Sequence, residues 1–263
     1  VTSPDGRPVL DHIDLRIRRG EIVGIAGVEG NGQTELIGAL MGMVKPTEGT
    51  ITLAGDDITH RTTRERREAG VGFIPQDRQR HGLLLDAPLW ENQMLGHQSQ
   101  RPNANGFWLD RSGARERTTQ VVERFDVRTP SIDVAAEALS GGNQQKLIIG
   151  REMLAEPTVM VAAHPTRGVD VGAQAAIWDQ LRDARAAGLA TLLVSADLEE
   201  LIGLSDVLLV IYKGRIVAEL DPTTATPEEL GAYMTGAQAS TDAATDAGAG
   251  TGTGAATDGT DRP

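Results

Sequence analysis

Short apolar runs alternate with helical segments through the second half of the chain. The runs cover Val159–Ala163 and residues 191–195 and 207–211, and helices are predicted over about 172–187 and 197–204. Uninterrupted apolar runs are typical of strands that are buried on both faces of a parallel sheet. Because strands and helices alternate, right-handed crossovers should place helices on both sides of that sheet. The pattern therefore predicts an α/β fold with a mostly parallel sheet.

The first part of the chain predicts an antiparallel β part and one charged helix. The elements expected there are two strands within residues 9–26 around a turn at 19–20, a loop over 27–32, a helix over 34–43, and strands over 50–53 and 71–75. The charged helix covers Thr63–Glu68. It is expected to present Arg64, Arg66 and Arg67 to solvent.

Two further segments differ in composition from the predicted sheet. Residues 88–135 lack strand alternation and carry helical stretches, notably 111–125, so we predict an inserted α-helical subdomain over about 88–155. Residues 237–263 are Ala, Gly, Thr and Asp with almost no large side chain. Such a segment buries too little apolar surface to offset its ordering entropy, so we predict a disordered tail after one folded domain over 1–236.

Composition narrows the class of protein. The 263 residues are 40% hydrophobic, which suits one large domain. The net charge of −12 argues against a nucleic-acid partner. The chain has no cysteine, which excludes disulfides and thiolate metal sites. No apolar run approaches the roughly 18 residues of a membrane span and no signal peptide is visible, so we expect a cytoplasmic protein whose membrane role needs a partner.

A Ser-Gly-Gly turn at the start of a predicted helix is the most informative motif. Residues 139–146 read Leu-Ser-Gly-Gly-Asn-Gln-Gln-Lys. Glycines allow the backbone to approach an anion, and the N–H groups and dipole of a helix N-terminus attract negative charge. The motif therefore predicts phosphate contact. The candidate residues are Ser140, Gly141, Gly142, Asn143 and Gln144.

A glycine-rich loop lies between a predicted strand and helix, where a P-loop of the form Gly-x4-Gly-Lys-[Ser/Thr] is expected. Residues 27–34 read Gly-Val-Glu-Gly-Asn-Gly-Gln-Thr, so Gln33 stands at the lysine position. Its amide donates a hydrogen bond but supplies no positive charge. The candidate nucleotide-binding residues are Gly27, Glu29, Gly30, Asn31, Gly32, Gln33 and Thr34. A dinucleotide fingerprint fits less well because Glu35 replaces its third glycine.

With Pro-Thr-Arg-Gly-Val-Asp at 165–170, these motifs resemble the nucleotide-binding domain of ATP-binding cassette (ABC) transporters over roughly residues 9–235. The resemblance implies a P-loop NTPase fold of the ABC type that binds ATP and Mg²⁺. It also implies that the Ser-Gly-Gly signature caps the γ-phosphate of ATP held by a partner domain. In that family Gln76 would sense the γ-phosphate, Thr34 and Gln76 would face Mg²⁺, and Asp170 would lie in the loop that crosses the dimer interface.

The chain departs from the family at its own catalytic positions. The usual Asp-Glu pair before Pro-Thr is Ala163 and His164, and the switch histidine is replaced by Ala196. Ala163 offers no ligand to a metal, whereas His164 is either a structural replacement or a base that positions water. Together with Gln33, these positions imply a degenerate site with weak or non-hydrolytic ATP binding.

This pattern of losses is similar to the second cassette of tandem importers for simple sugars and nucleosides, and residues 30–36 and 162–168 look closer to the nucleoside branch. The implied function is the ATP-binding half of an importer at the cytoplasmic face of the membrane, an ATPase only within a cassette dimer. The implied partners are a second cassette fused N-terminally, since the chain begins at Val1 within a pattern, transmembrane permease subunits and, indirectly, a substrate-binding protein.

Two alternatives stay open. One is a non-transport ABC ATPase of translation or DNA repair, although the spacing between Gly27 and Leu139 suits a modest helical subdomain rather than a long coiled coil. The other is an independent P-loop kinase or hydrolase, against which the missing lysine and carboxylates argue.

Overall fold

A six-stranded sheet forms the centre of the protein, and its strands follow the apolar runs of the sequence. The structure is a computed structural model, and it describes residues 1–2, 5–105 and 108–237. Its strands are β1 (Ile22–Ala26), β2 (Thr52–Leu53), β3 (Asp56–Asp57), β4 (Val71–Ile74), β5 (Ala104–Asn105), β6 (Trp108–Leu109), β7 (Val159–Ala163), β8 (Ala190–Ser195), β9 (Val207–Tyr212) and β10 (Arg215–Leu220). The order in the central sheet is β10-β9-β1-β8-β7-β4, and only β10 runs antiparallel to its neighbour.

Helices cover both faces of this sheet. They are α1 (Gln33–Met41), α2 (Thr63–Glu68), α3 (Leu89–Met94), α4 (Arg111–Arg124), α5 (Gly141–Leu154), α6 (Val171–Ala186), α7 (Leu198–Leu204) and α8 (Pro227–Thr235). A single π-helical turn spans Arg78–Gly82. Along β1, Ile22 and Ala26 join one hydrophobic cluster while Val23 and Ile25 join the other, because successive strand side chains point to opposite faces. The predicted α/β fold with a mostly parallel sheet is confirmed.

The predicted N-terminal β part is smaller than expected. Residues 9–18 form no strand, although their side chains alternate between partly buried and exposed, and Ile13, Leu15 and Ile17 pack against the core. The reason is topological: β1 already pairs with β8 and β9, so no edge of the central sheet is open beside it. The antiparallel part that forms there is the two-residue ladder of β2 and β3.

Other elements were not predicted from the sequence. Strand β10 and helix α8 follow the last predicted strand, and a short antiparallel pair, β5 with β6, lies within residues 88–135, where no strand was expected. Helices α3, α4 and α5 pack against one another in the segment 88–155. The predicted disordered tail lies, from residue 238 onward, outside the described residues. Among the helices that the structure describes, none is both long and apolar enough to cross a membrane.

The prediction of a solvated arginine face on α2 is wrong for Arg66. Its side chain is 1% exposed, and its guanidinium donates to four backbone carbonyl oxygens. These belong to Ala39 (2.6 Å), Leu40 (2.8 Å), Thr59 (2.7 Å) and Arg61 (3.0 Å). Two of the four lie in the last turn of α1, where helix carbonyls lack intrahelical partners and a cation is favourable. Arg66 thus anchors the end of the helix that follows the glycine-rich loop.

The prediction is wrong for Arg67 as well. Its guanidinium donates to both carboxylate oxygens of the fully buried Glu152, at 3.0 and 2.8 Å. Arg151 Nε and the Phe73 N–H donate to the same carboxylate. Burial alone would raise the pKa of Glu152, but the hydrogen bond with His97 and the charges of Arg151 and Arg67 hold that pKa well below its usual range. The charged carboxylate therefore fastens α2 and β4 to α5.

Candidate functional site

Four of the sequence-predicted site residues lie at one edge of the central sheet. Strands β1, β4, β7 and β8 are parallel, so their carboxyl ends lie together. Gly27 follows β1, Gln76 lies two residues after β4, His164 follows β7 and Ala196 follows β8. The carboxyl edge of a parallel sheet is the usual place for ligands in α/β proteins. Topology thus brings together residues that are distant in sequence.

The loop over residues 27–34 has the geometry of an anion site. A Cβ at Gly27 would lie 2.5 Å from Gln33 Nε2 and 2.8 Å from the Ile211 carbonyl oxygen, so no larger residue fits. Gly30 and Gly32 have φ of 91° and 110°, which L-residues rarely adopt. Within the part of the chain that the structure describes, the N–H groups of Gly30, Gly32 and Thr34 make no hydrogen bond to the protein. These groups are available to phosphate oxygens at the N-terminus of α1.

The side chain of Gln33 folds back onto this loop. Its Oε1 accepts the Asn31 N–H at 3.1 Å, and its Nε2 donates to the Val28 carbonyl oxygen at 3.1 Å. An N–H group that a phosphate would use is therefore already paired within the protein. The same N–H also donates to the Val28 carbonyl oxygen at 3.2 Å, so phosphate binding at this loop has to break both contacts or do without the Asn31 N–H. Gln33 offers no compensating positive charge.

Asn31 joins the loop to the turn between β9 and β10, a contact that the sequence did not reveal. Its Oδ1 accepts the Lys213 N–H at 2.9 Å, and its carbonyl oxygen accepts the Gly214 N–H at 2.9 Å. Lys213 and Gly214 both have positive φ, as in the tight two-residue turns of hairpins. The side chain of Asn31 therefore holds the loop in place. Glu29 and Thr34, by contrast, are exposed.

The strand ends carry no carboxylate at the predicted metal and base positions. Ala163 is buried in the sheet, and His164 follows it with φ of 48°. The Nδ1 of His164 accepts the Ala196 N–H at 3.3 Å, so the neutral imidazole carries its proton on Nε2. Burial lowers the pKa of His164 and the charge of Arg167 lowers it further, while Glu29 opposes them. A neutral ring whose acceptor nitrogen is already bonded is poorly placed to take a proton from water.

Glu200 contacts the turn after β7, a role that the sequence analysis did not predict. Thr166 Oγ1 donates to Glu200 Oε1 at 2.7 Å, and the His164 N–H donates to the Val194 carbonyl oxygen at 2.8 Å. Burial raises the pKa of Glu200, while hydrogen bonds with Ser195 and Thr166 lower it. These contacts fix the backbone of the turn against β8 and α7.

The Ser-Gly-Gly turn starts α5, as predicted. Ser140 is the N-cap residue, and its Oγ accepts the Asn143 N–H at 3.4 Å and the Asn143 side-chain amide at 3.0 Å. Ser140 is exposed, so the N-terminus of this 14-residue helix is open to a partner. Gln144 is different: it is buried, and its Nε2 donates to the Ala136 carbonyl oxygen at 3.1 Å. Its observed contacts are internal.

Asp170 lies against the same helix start. Its Oδ1 accepts the Ala173 N–H at 3.0 Å and caps α6, and this hydrogen bond is the main reason that its pKa is lowered. A Cβ at Gly142 would lie 3.3 Å from Asp170 Oδ2 and 2.9 Å from Ala173 Cβ. Val171, the next residue, is 83% exposed. The loop thus combines close packing on α5 with an apolar side chain turned to solvent.

Gln76 lines an open groove of about 300 Å³ with Asp77, Arg78, Gln79, Arg167 and Gly168. The groove lies between the π-helical turn and the turn after β7. Sequence reasoning missed Arg78, because its partners lie 66 to 90 positions away along the chain. It donates to backbone carbonyls across the groove.

The residues present fit a phosphate ligand better than they fit a metal. Free N–H groups and left-handed glycines suit phosphate oxygens. Mg²⁺ prefers carboxylate oxygens, and only the Thr34 hydroxyl and the Gln76 amide remain among the candidate ligands. Among the described residues there is also no cluster of three or more His, Asp or Glu side chains that would hold a metal ion.

The comparisons with known proteins agree with this geometry. Residues 10–167 match the family model described as ABC transporter, more than half of the chain, so the chain belongs to the ABC transporter family. The guanosine import ATP-binding protein NupO of Bacillus subtilis (strain 168) is 47% identical over 238 residues, which are 90% of this chain and 47% of NupO. The glucose import ATP-binding protein TsgD13 of Haloferax volcanii is 42% identical over 238 residues, 90% of this chain and 43% of TsgD13.

A third relative, the nucleoside import ATP-binding protein NupA of Lactococcus lactis subsp. cremoris, is 42% identical over 224 residues, 85% of this chain and 44% of NupA. The chain spans about half the length of these relatives. Among solved structures, a nucleotide-free ATP-binding cassette from an ABC transporter is 25% identical with a TM-score of 0.70, covering 81% of this chain and 85% of that chain. The fold and the family are thereby shown.

Proposed function

We propose that this chain is one cassette of a membrane importer for nucleosides or simple sugars, and that it completes the ATP site of a second cassette. Its own site would bind ATP weakly or without hydrolysis, with Thr34 and Gln76 as the available Mg²⁺ contacts. The names of the relatives support the substrate class, because NupO is named as a guanosine import protein and TsgD13 as a glucose import protein.

One contrast within the site carries the proposal. At the chain's own strand ends, Ala163 is an apolar side chain and His164 a neutral ring bonded to Ala196. The start of α5, by contrast, has an exposed Ser140 and the free dipole of a long helix. Groups that would serve a ligand from another subunit are thus complete, while groups for local catalysis are missing.

The half-length coverage of the relatives supports a partner cassette in the same polypeptide. We place that cassette before this one, as the sequence pattern predicts. In such a pair, each ATP would lie between the P-loop of one cassette and the signature helix of the other. Asp170 and the exposed Val171 would then contact the partner. Permease subunits would hold the pair at the cytoplasmic face of the membrane, and a substrate-binding protein would deliver the cargo.

The experiment compares Ser140→Arg with Gln33→Ala in the complete transporter. Ser140→Arg should abolish ATP hydrolysis, because a long side chain at the helix start blocks the approach of the γ-phosphate to the backbone N–H groups. It should leave nucleotide binding by this chain's own loop unchanged. Gln33→Ala should reduce turnover only mildly, because the productive site takes its lysine from the other cassette.

The reverse result would end the proposal. If Gln33→Ala abolished hydrolysis while Ser140→Arg hydrolysed ATP at the wild-type rate, the productive site would be the one on this chain's own P-loop. Thermal melts of both variants show whether a loss of rate reflects unfolding.

A further inference from the structure

Arg78 joins three parts of the site that are separate in sequence. Its Nη1 donates to the Arg167 carbonyl oxygen at 2.6 Å, and its Nη2 donates to the Gly168 carbonyl oxygen at 3.0 Å. Its Nε donates to Gln144 Oε1 at 3.4 Å. One guanidinium therefore spans from the turn after β7 to the first turns of the signature helix α5.

The guanidinium also lies directly against the signature. A Cβ at Gly141 would come within 2.6 Å of Arg78 Nη2 and 3.2 Å of the Gly168 carbonyl oxygen. Gly141 therefore leaves the space that Arg78 occupies. On the other side of the helix start, Gly142 packs against Asp170. The start of α5 is thus held between Arg78 and the loop that carries Asp170.

The segment that carries Arg78 is itself fixed to α5 at its far end. The π-helical turn Arg78–Gly82 begins after Asp77, whose Oδ1 accepts the N–H groups of Gln79 and Arg80. At its end, the Gly82 carbonyl oxygen accepts a hydrogen bond from Arg151 Nη1 at 2.9 Å. This segment would therefore move together with α5 rather than slide past it.

We infer that Arg78 is a positioning residue that aligns the signature helix with the Asp170 loop, so that both meet the partner's ATP as one surface. This inference rests on the proposed function, in which the signature serves the second cassette. Arg78 itself would touch no nucleotide, because its guanidinium donates to the carbonyl oxygens of Arg167 and Gly168 and to Gln144. Arginine suits this place because its planar fork donates in several fixed directions, which a lysine ammonium does not reproduce.

The test measures kcat and KM for ATP hydrolysis by the complete transporter with Arg78→Ala, Arg78→Lys and the control Arg80→Ala. Arg80 lies in the same π-helical turn and is exposed. Arg78→Ala should lower kcat by about 10- to 100-fold, because a misplacement of about 1 Å at a catalytic surface costs up to about 10²-fold. KM should stay within about threefold, since the partner's P-loop holds the ATP. Arg78→Lys should recover little of the rate, and Arg80→Ala should match wild type.

Several outcomes would overturn the inference. A kcat for Arg78→Ala within about twofold of wild type would do so, as would full rescue by Arg78→Lys. The inference would also fail if Arg78→Ala lowered the melting temperature and changed kcat and KM together. That result would mean that Arg78 stabilises the fold rather than aligns the signature helix. Ser140→Arg, measured in parallel, separates the two ideas. If Ser140→Arg abolishes hydrolysis while Arg78→Ala does not slow it, only the role of Arg78 fails; if Ser140→Arg is silent, the proposed function fails and the inference with it.

Discussion

The imidazole Nδ1 of His164 accepts the backbone N–H of Ala196 at 3.3 Å. The sequence comparison with the family predicts that these residues stand at the positions of a catalytic glutamate and a switch histidine, and here they bond to each other. The contact joins the end of β7 to the end of β8 and favours the neutral ring. It makes His164 a structural element of the site, and its protonation should be unfavourable in the folded protein.

The stability of the protein should therefore fall as the pH is lowered through the titration of His164. The folded-state pKa lies below the ordinary 6.5, chiefly because of burial. Between the folded-state and the unfolded-state pKa of His164, the unfolded chain binds more protons than the folded chain. The free energy of unfolding therefore rises with pH in this range, and this stabilisation is lost as the pH falls. Above about pH 6.5 this residue contributes no pH dependence.

Denaturant unfolding at pH 5.5 and 7.5 checks this expectation with His164→Asn, since asparagine tolerates the positive φ. The difference in unfolding free energy between the two pH values should be smaller for the variant than for wild type. His60→Asn, at an exposed position, is the control and should keep the wild-type difference. An equal pH dependence in wild type and His164→Asn would contradict the assignment.

Restoring the lysine of the P-loop should strengthen ATP binding at the chain's own site. Gln33→Lys removes the amide that pairs with Asn31 and Val28 and adds a charge-assisted contact to the phosphates. Hydrogen bonds to charged groups contribute about 1.5–3 kcal/mol, so the Kd for a fluorescent ATP analogue should fall by roughly 10- to 100-fold.

The matched control is Gln33→Met, which removes the amide without adding charge. It should bind much more weakly than Gln33→Lys. Comparable affinities for wild type, Gln33→Met and Gln33→Lys would mean that phosphates do not occupy this loop.

The chain alone should hydrolyse ATP very slowly. Competent enzymes commonly reach about 1 s⁻¹ or more, and loss of a positioned base costs about 10²–10⁴-fold, so turnover should lie below about 0.01 s⁻¹. The reason is that Ala163 supplies no oxygen ligand and His164 is neutral with its acceptor nitrogen bonded. Phosphate release by the purified full chain, with the complete transporter as the positive control, is the measurement. Turnover near 1 s⁻¹ by the chain alone would contradict a degenerate site.

Removing the buried arginine of α2 should cost far more stability than removing its exposed neighbour. Arg66→Met leaves the carbonyls of Ala39 and Leu40 without their buried partner, and each such group costs about 1–3 kcal/mol. We expect a loss of about 2–4 kcal/mol. Arg64→Met, in the same helix, removes only an exposed pair with Glu68 and should cost less than about 0.5 kcal/mol.

Thermal and denaturant unfolding of the two variants gives the comparison. At this chain length each kcal/mol shifts Tm by about 2–4 °C. If both variants had the wild-type Tm, the buried guanidinium would not stabilise the end of α1.

The sequence by itself determined the central sheet and the positions of the chemical motifs. Runs such as Val159–Ala163 are apolar because their side chains face a hydrophobic cluster on each side of the sheet. Burial on both faces leaves a continuous apolar run, which can be recognised in the sequence. The glycines of the P-loop and the Ser140 cap were also predictable, since backbone conformation and helix capping act over a few residues. The absence of a strand in residues 9–18 was not predictable, because pairing depends on which sheet edge is free.

The tertiary structure decided which side chains became partners. The Asn31 side chain meets the Lys213 N–H, 182 positions away, and Arg78 meets the Gly168 carbonyl 90 positions away. Arg64 and Arg66 have the same side chain and lie in one helix, yet one is exposed and the other is buried. No local pattern separates them, because the difference comes from the end of α1, whose carbonyls need donors and whose position is set by the packing of the whole sheet.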